Sequence, residues 1–125
     1  MSKAGQGGSG RLTTHVLDTM SGSPGAGIVV DLFRLDGAVR QPLQRLTTDA
    51  DGRTPMPLLE GANVLPGSYE LLFHVGAYFR DHGVALSEPA FLDQVPVRFG
   101  IADPARHYHV PLLVSPYGYS TYRGS

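Results

Sequence analysis

The chain has 125 residues, of which 42% are hydrophobic and 17% charged, and a formal net charge of −1. This bounds one globular domain with a single core, and the near-zero charge excludes the electrostatic footprint of a nucleic-acid binder. The lack of cysteine excludes disulfides, thiolate metal sites and cysteine nucleophiles.

No apolar run approaches the ~20 residues that a membrane helix needs. The opening "MSKAGQGGSG" has no apolar core of a secretory signal, and its Gly and Ser content predicts a flexible leader over 1–10. The domain proper is expected over 11–125, and the expected location is cytoplasmic. Lys3 is the only lysine, so the cations are almost all arginine. Either bidentate recognition of planar oxygen groups or a compositional bias of the coding sequence accounts for that.

Strand patterns then follow one another along the chain. "RLTTHVLD" is rich in β-branched residues and ends in the turn-rich "TMSGSPGAG". "GIVVDLFRLDG" closes on Asp36-Gly37, and "LQRLTTDADGR" on Asp51-Gly52. "GSYELLFHVGAYF" alternates Tyr69, Leu71 and Phe73, and the only helical candidate is the short "AYFRDHG". "FLDQVPVRFGI", "HYHVPLLVSP" and "YGYSTYRGS" complete the set. Short strands at near-regular spacing, punctuated by 16 glycines and 10 prolines, predict a β-sandwich or barrel. Pro96 and Pro111 lie inside strand patterns, so each should sit on an edge or at an unpaired point of a ladder.

The two-residue period sorts the chemistry-bearing side chains. In "HYHVPLLVS" it puts Tyr108, Val110, Leu112 and Val114 on the core face, and His107 and His109 on the other. In "RLTTHVLD" Leu12, Thr14 and Val16 share one face, and Thr13, His15 and Leu17 the other. The His-x-His pair reads as two solvated histidines, as acid/base groups, or as half of a zinc site needing a third ligand such as His15, His74 or His82. Arg53 alone reads as a solvated turn cation. The tyrosines of "YGYSTYRGS" are costly to leave in water, so this segment should be packed or lie at an interface.

Three stretches together carry a resemblance. "HVLDTMSGSPGAGIVV" and "YHVPLLVSPYGYS" resemble the signature regions of the transthyretin superfamily, and the terminal "YRGS" resembles the ending of its enzymatic branch, the 5-hydroxyisourate hydrolases. The likeness runs from about Arg11 to Ser125. It implies an all-β, transthyretin-like two-sheet sandwich of about eight strands with one short helix. It implies a homotetramer, a dimer of dimers, with active sites at the dimer–dimer interface. The implied activity is the ring opening of 5-hydroxyisourate, a cyclic amide hydrolysis, with no metal or organic cofactor. Carried over by position, His15, Arg53 and His109 are the expected catalytic groups, and Tyr122, Arg123 and Ser125 the expected substrate-binding ones. The competing expectation is a transthyretin-like carrier of small hydrophobic ligands, which would call for an apolar lining at these positions. His107 reads as a support to His109 or, in preference, as a surface residue. His74 reads as half-buried or at a subunit contact, without an assigned role.

Overall fold

The computed structural model describes residues 9–124. The leader up to residue 8 and Ser125 lie outside the described residues. The elements in chain order are β1 (Arg11–Thr13), β2 (Val16–Asp18), β3 (Ser23–Pro24), β4 (Val29–Asp36), β5 (Val39–Thr47), β6 (Leu59–Glu60), β7 (Gly67–Phe73), α1 (Val75–Asp81), β8 (Val95–Ile101), β9 (His107–His109), β10 (Leu112–Ser115) and β11 (Gly118–Thr121).

One layer is the antiparallel sheet β5-β4-β7-β8. The other is split into two ladders, β6-β1-β9 and β11-β10-β2-β3. The split is local. β1 and β2 are halves of one extended run, as are β9 and β10, and the halves pair in parallel, β1 with β9 and β2 with β10. Joining the halves and setting aside the two-residue β3 leaves the eight strands expected.

Between the halves the hydrogen bonds continue in irregular form: the Val110 amide donates to the Thr13 carbonyl and the Leu112 amide to that of His15. The buried Thr14 hydroxyl donates to the Val110 carbonyl at 2.7 Å. Pro111, with no amide hydrogen to contribute, sits at this break, as its sequence context predicted. Pro96 lies on the edge strand β8. β5 reaches further back than the pattern suggested and takes in Pro42; it tolerates that proline because it too is an edge strand, and because the register shifts at the facing Leu32/Phe33.

The core lies between the layers. Leu12, Val16, Val110, Leu112 and Val114 meet Val30, Leu32, Leu71, Phe73 and Val97, and Val75 and Phe79 of α1 close one end. The predicted core face of "HYHVPLLVS" is therefore the observed one. α1 starts two residues before "AYFRDHG". The Gly76 amide bonds the Asp93 carbonyl, and Gly83, at φ 78°, ends the turn that follows. His74, half-buried, precedes the helix and turns its Nε2 to Asp31 Oδ2 at 2.7 Å.

Candidate functional site

The parallel register of β1 with β9 sets Arg11 beside His107 and Thr13 beside His109. All four side chains lie on the face turned away from the core. Their neighbours Leu12 and Tyr108 point inward and are buried. Together with Arg53 and the loop Thr54–Pro57 these four side chains line a cavity of about 460 Å³.

Arg53 owes its place to the turn before it. Asp49 accepts the amides of Asp51 and Arg53 at its Oδ1, and its own amide donates to the Arg53 carbonyl. Gly52 takes φ 77°, which glycine adopts without strain. A Cβ at Gly52 would stand 2.4 Å from the Val16 carbonyl oxygen, so the turn packs directly onto the strand. The Gly52 carbonyl accepts the Val16 amide, and an isolated antiparallel bridge joins His15 to Arg53. A cation that the sequence alone presents as solvated is thus fastened next to His15.

His109 is the best-determined group of the site. Its Nδ1 lies 2.8 Å from Thr13 Oγ1, and the same oxygen lies 2.8 Å from His107 Nε2. Burial, and after it the nearby Arg53, His107 and His15, push the His109 pKa below its ordinary 6.5. Burial and then Arg11 do the same to His107. Both rings are therefore held neutral at pH 7, the form in which an imidazole can accept a proton.

The tail reaches His109 as well, but not as a continuous strand. β11 pairs with β10 until Thr121 faces Leu112. The next position would face Pro111, which has no amide hydrogen, so the ladder lapses and Tyr122 falls outside the strand. Pairing resumes at Gly124, whose amide donates to the His109 carbonyl at 2.7 Å. A Cβ on Gly124 would lie 2.8 Å from His109 Cδ2. The expectation that a last strand carries Tyr122 is thus corrected, although the contact between tail and site residue is present.

Within the described chain, Tyr122 and Arg123 border a different hollow, shared with Val97–Gly100 and Tyr108. The Arg123 guanidinium stacks over the Tyr108 ring at 4.5 Å. Tyr117, Tyr119 and Tyr122 are 69%, 45% and 60% exposed. Ser125 lies outside the described residues. The structure thus brings Arg53, His107 and His109 to one cavity, sets His15 beside Arg53, and ties Gly124 to His109. Sequence reasoning missed Thr13 and Arg11. Their shared parity with His15 was visible, but their nearness to the His-x-His pair depends on a pairing that spans most of the chain. Among the described residues no three His, Asp or Glu side chains cluster as a metal ion would require.

The comparisons with known proteins agree with this fold. The family model described as "HIUase/Transthyretin family" matches residues 12–124. The 5-hydroxyisourate hydrolase 2 of Rhizobium meliloti (strain 1021) is 62% identical over 117 residues, which cover 94% of this chain and 98% of that one. The structure of Klebsiella pneumoniae 5-hydroxyisourate hydrolase superposes with a TM-score of 0.77 at 34% identity, over 93% of this chain and 99% of that one. That of (S)-allantoin synthase does so with a TM-score of 0.88 at 45% identity; there the match covers 93% of this chain but only 44% of the other. The sandwich is transthyretin-like, and the chain belongs to the HIUase/Transthyretin family.

Proposed function

We propose that this protein hydrolyses 5-hydroxyisourate, opening its cyclic amide C–N bond to give 2-oxo-4-hydroxy-4-carboxy-5-ureidoimidazoline. The observation that carries this reading is His109 gathered with His107, Arg11 and Arg53 at one cavity, in a chain with a hydrolase relative at 62% identity. A carrier of hydrophobic ligands would call for an apolar lining throughout, whereas this cavity presents guanidinium, imidazole and hydroxyl groups alongside Pro55, Met56 and Pro57.

Hydrolysis needs a base for water, a stabiliser for the oxyanion, and an acid for the departing nitrogen. His109 takes a proton from water at the ring nitrogen not bonded to Thr13, and the hydroxide oxygen adds to the ring carbonyl. Arg53 directs its N–H fork at the carbonyl oxygen as it becomes negative. As the tetrahedral centre collapses, the C–N bond breaks and His15 delivers a proton to the nitrogen. The released carboxylate remains opposite the cationic wall formed by Arg11 and Arg53. Tyr122, Arg123 and Ser125 complete the substrate enclosure in an assembled tetramer, which also covers the exposed tyrosines. The working location is the cytoplasm.

The test is to follow the ultraviolet absorbance of 5-hydroxyisourate, generated in situ by oxidation of urate, with and without the protein. Accelerated decay is expected, and decay at the spontaneous rate would refute the assignment. Light scattering should return the mass of four chains; a monomeric mass in an active sample would refute the tetrameric enclosure.

A further inference from the structure

A single hydroxyl stands between two imidazoles in the cavity. Thr13 Oγ1 is 2.8 Å from His107 Nε2 and 2.8 Å from His109 Nδ1. A threonine hydroxyl has one proton to give and two lone pairs. Among the described residues it has no other acceptor, so its proton goes to one of the two rings. The other ring, being neutral, must then donate its own N–H to the oxygen. The tautomers of the two histidines are therefore locked together: each determines the other through Thr13.

The direction follows from the chemistry asked of His109. Its Nδ1 is occupied by Thr13, so Nε2 is the atom left to meet water. For Nε2 to be basic, the ring's proton must reside on Nδ1. We propose that Thr13 and His107 are positioning residues that hold His109 as the Nδ1–H tautomer, with the hydrogen-bond chain running His109 Nδ1–H to Thr13 Oγ1 and Thr13 O–H to His107 Nε2. When Nε2 accepts the water proton, the bond from Nδ1–H to Thr13 becomes charge-assisted and shortens. In many hydrolases a carboxylate orients the basic histidine. Here the residues lining the hollows around the two rings include Arg11, Arg53, Arg106 and Arg123 and, among the described residues, no acidic side chain, and His15 is close by. A neutral hydroxyl backed by a neutral imidazole fixes the tautomer without adding a carboxylate that these cations would capture.

The coupling of the two tautomers through Thr13 does not rest on the hydrolase reading, whereas its direction and its kinetic consequence do. Two measurements therefore separate the two. The first is nitrogen-15 NMR of the imidazoles in the intact protein. The wild type should show His109 protonated at Nδ1 and His107 at Nδ1, and Thr13→Val should release His109 from that tautomer. A wild-type His109 protonated at Nε2 overturns the inference, whatever the activity. The second is turnover of 5-hydroxyisourate. Thr13→Val should lower kcat by at least about tenfold, a part of what general-base catalysis contributes, with KM changed by less than about threefold. Thr13→Ser, which keeps the hydroxyl, should restore at least half the rate. A smaller loss in Thr13→Val, or an equal loss in Thr13→Ser, overturns the inference while leaving the hydrolase assignment intact. An inactive wild type would instead sink that assignment. Finally, His107→Gln should cost little more in the Thr13→Val background than Thr13→Val does alone. Losses that multiply would show His107 acting independently and would also overturn the chain.

Discussion

The two layers of the sandwich use their polar residues in opposite ways. In the sheet β5-β4-β7-β8 the strands run unbroken for seven to nine residues, and the charges on the outward face are paired. Glu70, 1% exposed, bonds Arg40 at 2.6 Å and Arg98 at 3.0 Å. Asp31 takes Arg45 in two hydrogen bonds and His74 in a third, and these hold its carboxyl below the usual range. In the other layer the strands break midway. Among the described residues Arg11 and Arg53 have no acidic partner within salt-bridge distance. The sheet β5-β4-β7-β8 consumes these charges in holding structure, and the broken layer leaves Arg11 and Arg53 directed at a cavity. Perturbed imidazoles beside unpaired cations mark a place where a ligand supplies the missing partner.

The largest effect that follows from this contrast belongs to the histidines of the broken layer. His109→Ala or His15→Ala should lower the turnover of 5-hydroxyisourate by at least about a hundredfold, the lower range for general acid–base catalysis. The thermal unfolding midpoint should change little for either. Near-full activity in either variant would remove that ring from the mechanism. Arg53→Lys keeps the charge but loses the fork, and a rate within a few-fold of wild type would show that charge alone suffices.

A somewhat smaller loss is expected at the tail. Gly124→Ala places a methyl 2.8 Å from His109 Cδ2, closer than side-chain carbons pack, so the ring or the tail must move. We expect a fall in kcat of about tenfold, on the scale by which small misplacements of a catalytic group lower rates. Removal of the last four residues should do more damage than the alanine, and the sandwich should still fold, because the hydrophobic core lies elsewhere. Equal activity of Gly124→Ala and wild type would mean that the bridge to His109 has no functional weight.

The paired layer should respond in the opposite sense. Glu70→Gln removes one buried charge and leaves two arginines that already reach water, with side chains 45% and 69% exposed. A stability loss of about 1 kcal/mol is expected in urea titration, typical for hydrogen bonds to a charged group after solvent screening. The kcat should not change. A rate loss of tenfold in Glu70→Gln would erase the division of labour between the layers.

Some of this organisation is readable in the chain itself. The two-residue period survives the strand breaks, so the faces of "RLTTHVLD" and "HYHVPLLVS" could be assigned without a structure. Pro111 announced its break because a missing amide hydrogen is a local property. Thr14, at the matching break, carried no such signal: its hydroxyl matters only because the Val110 carbonyl arrives opposite it. Thr13 was silent for the same reason. Arg53 was visible as part of a turn, but its bridge to His15 is a tertiary fact. The resemblance supplied the expected roles of His15, Arg53 and His109, whereas the link through Thr13 becomes visible only in the pairing of β1 with β9.

The finest probe of the comparison is acid. A histidine whose folded pKa lies below its unfolded value near 6.5 resists protonation only in the folded chain. The unfolded chain then binds more protons, so stability is complete above about pH 6.5 and falls as the pH drops toward the folded values of His107 and His109. Asp31 behaves like any carboxylate with a depressed pKa. Its contribution is present above the ordinary 3.8 and is lost as the pH falls through its lower folded value. The broken layer should therefore lose its function before the paired layer loses its structure. The acid limb of kcat/KM should fall below pH 6.5, while circular dichroism stays native until well under pH 4. Within that window Arg53→Gln, which removes one of the cations that oppose protonation of His109, should move the limb upward without restoring the ordinary histidine value, since burial remains the larger cause. A limb above pH 6.5 in the wild type, or a downward shift in Arg53→Gln, would show that a group other than neutral His109 limits the reaction.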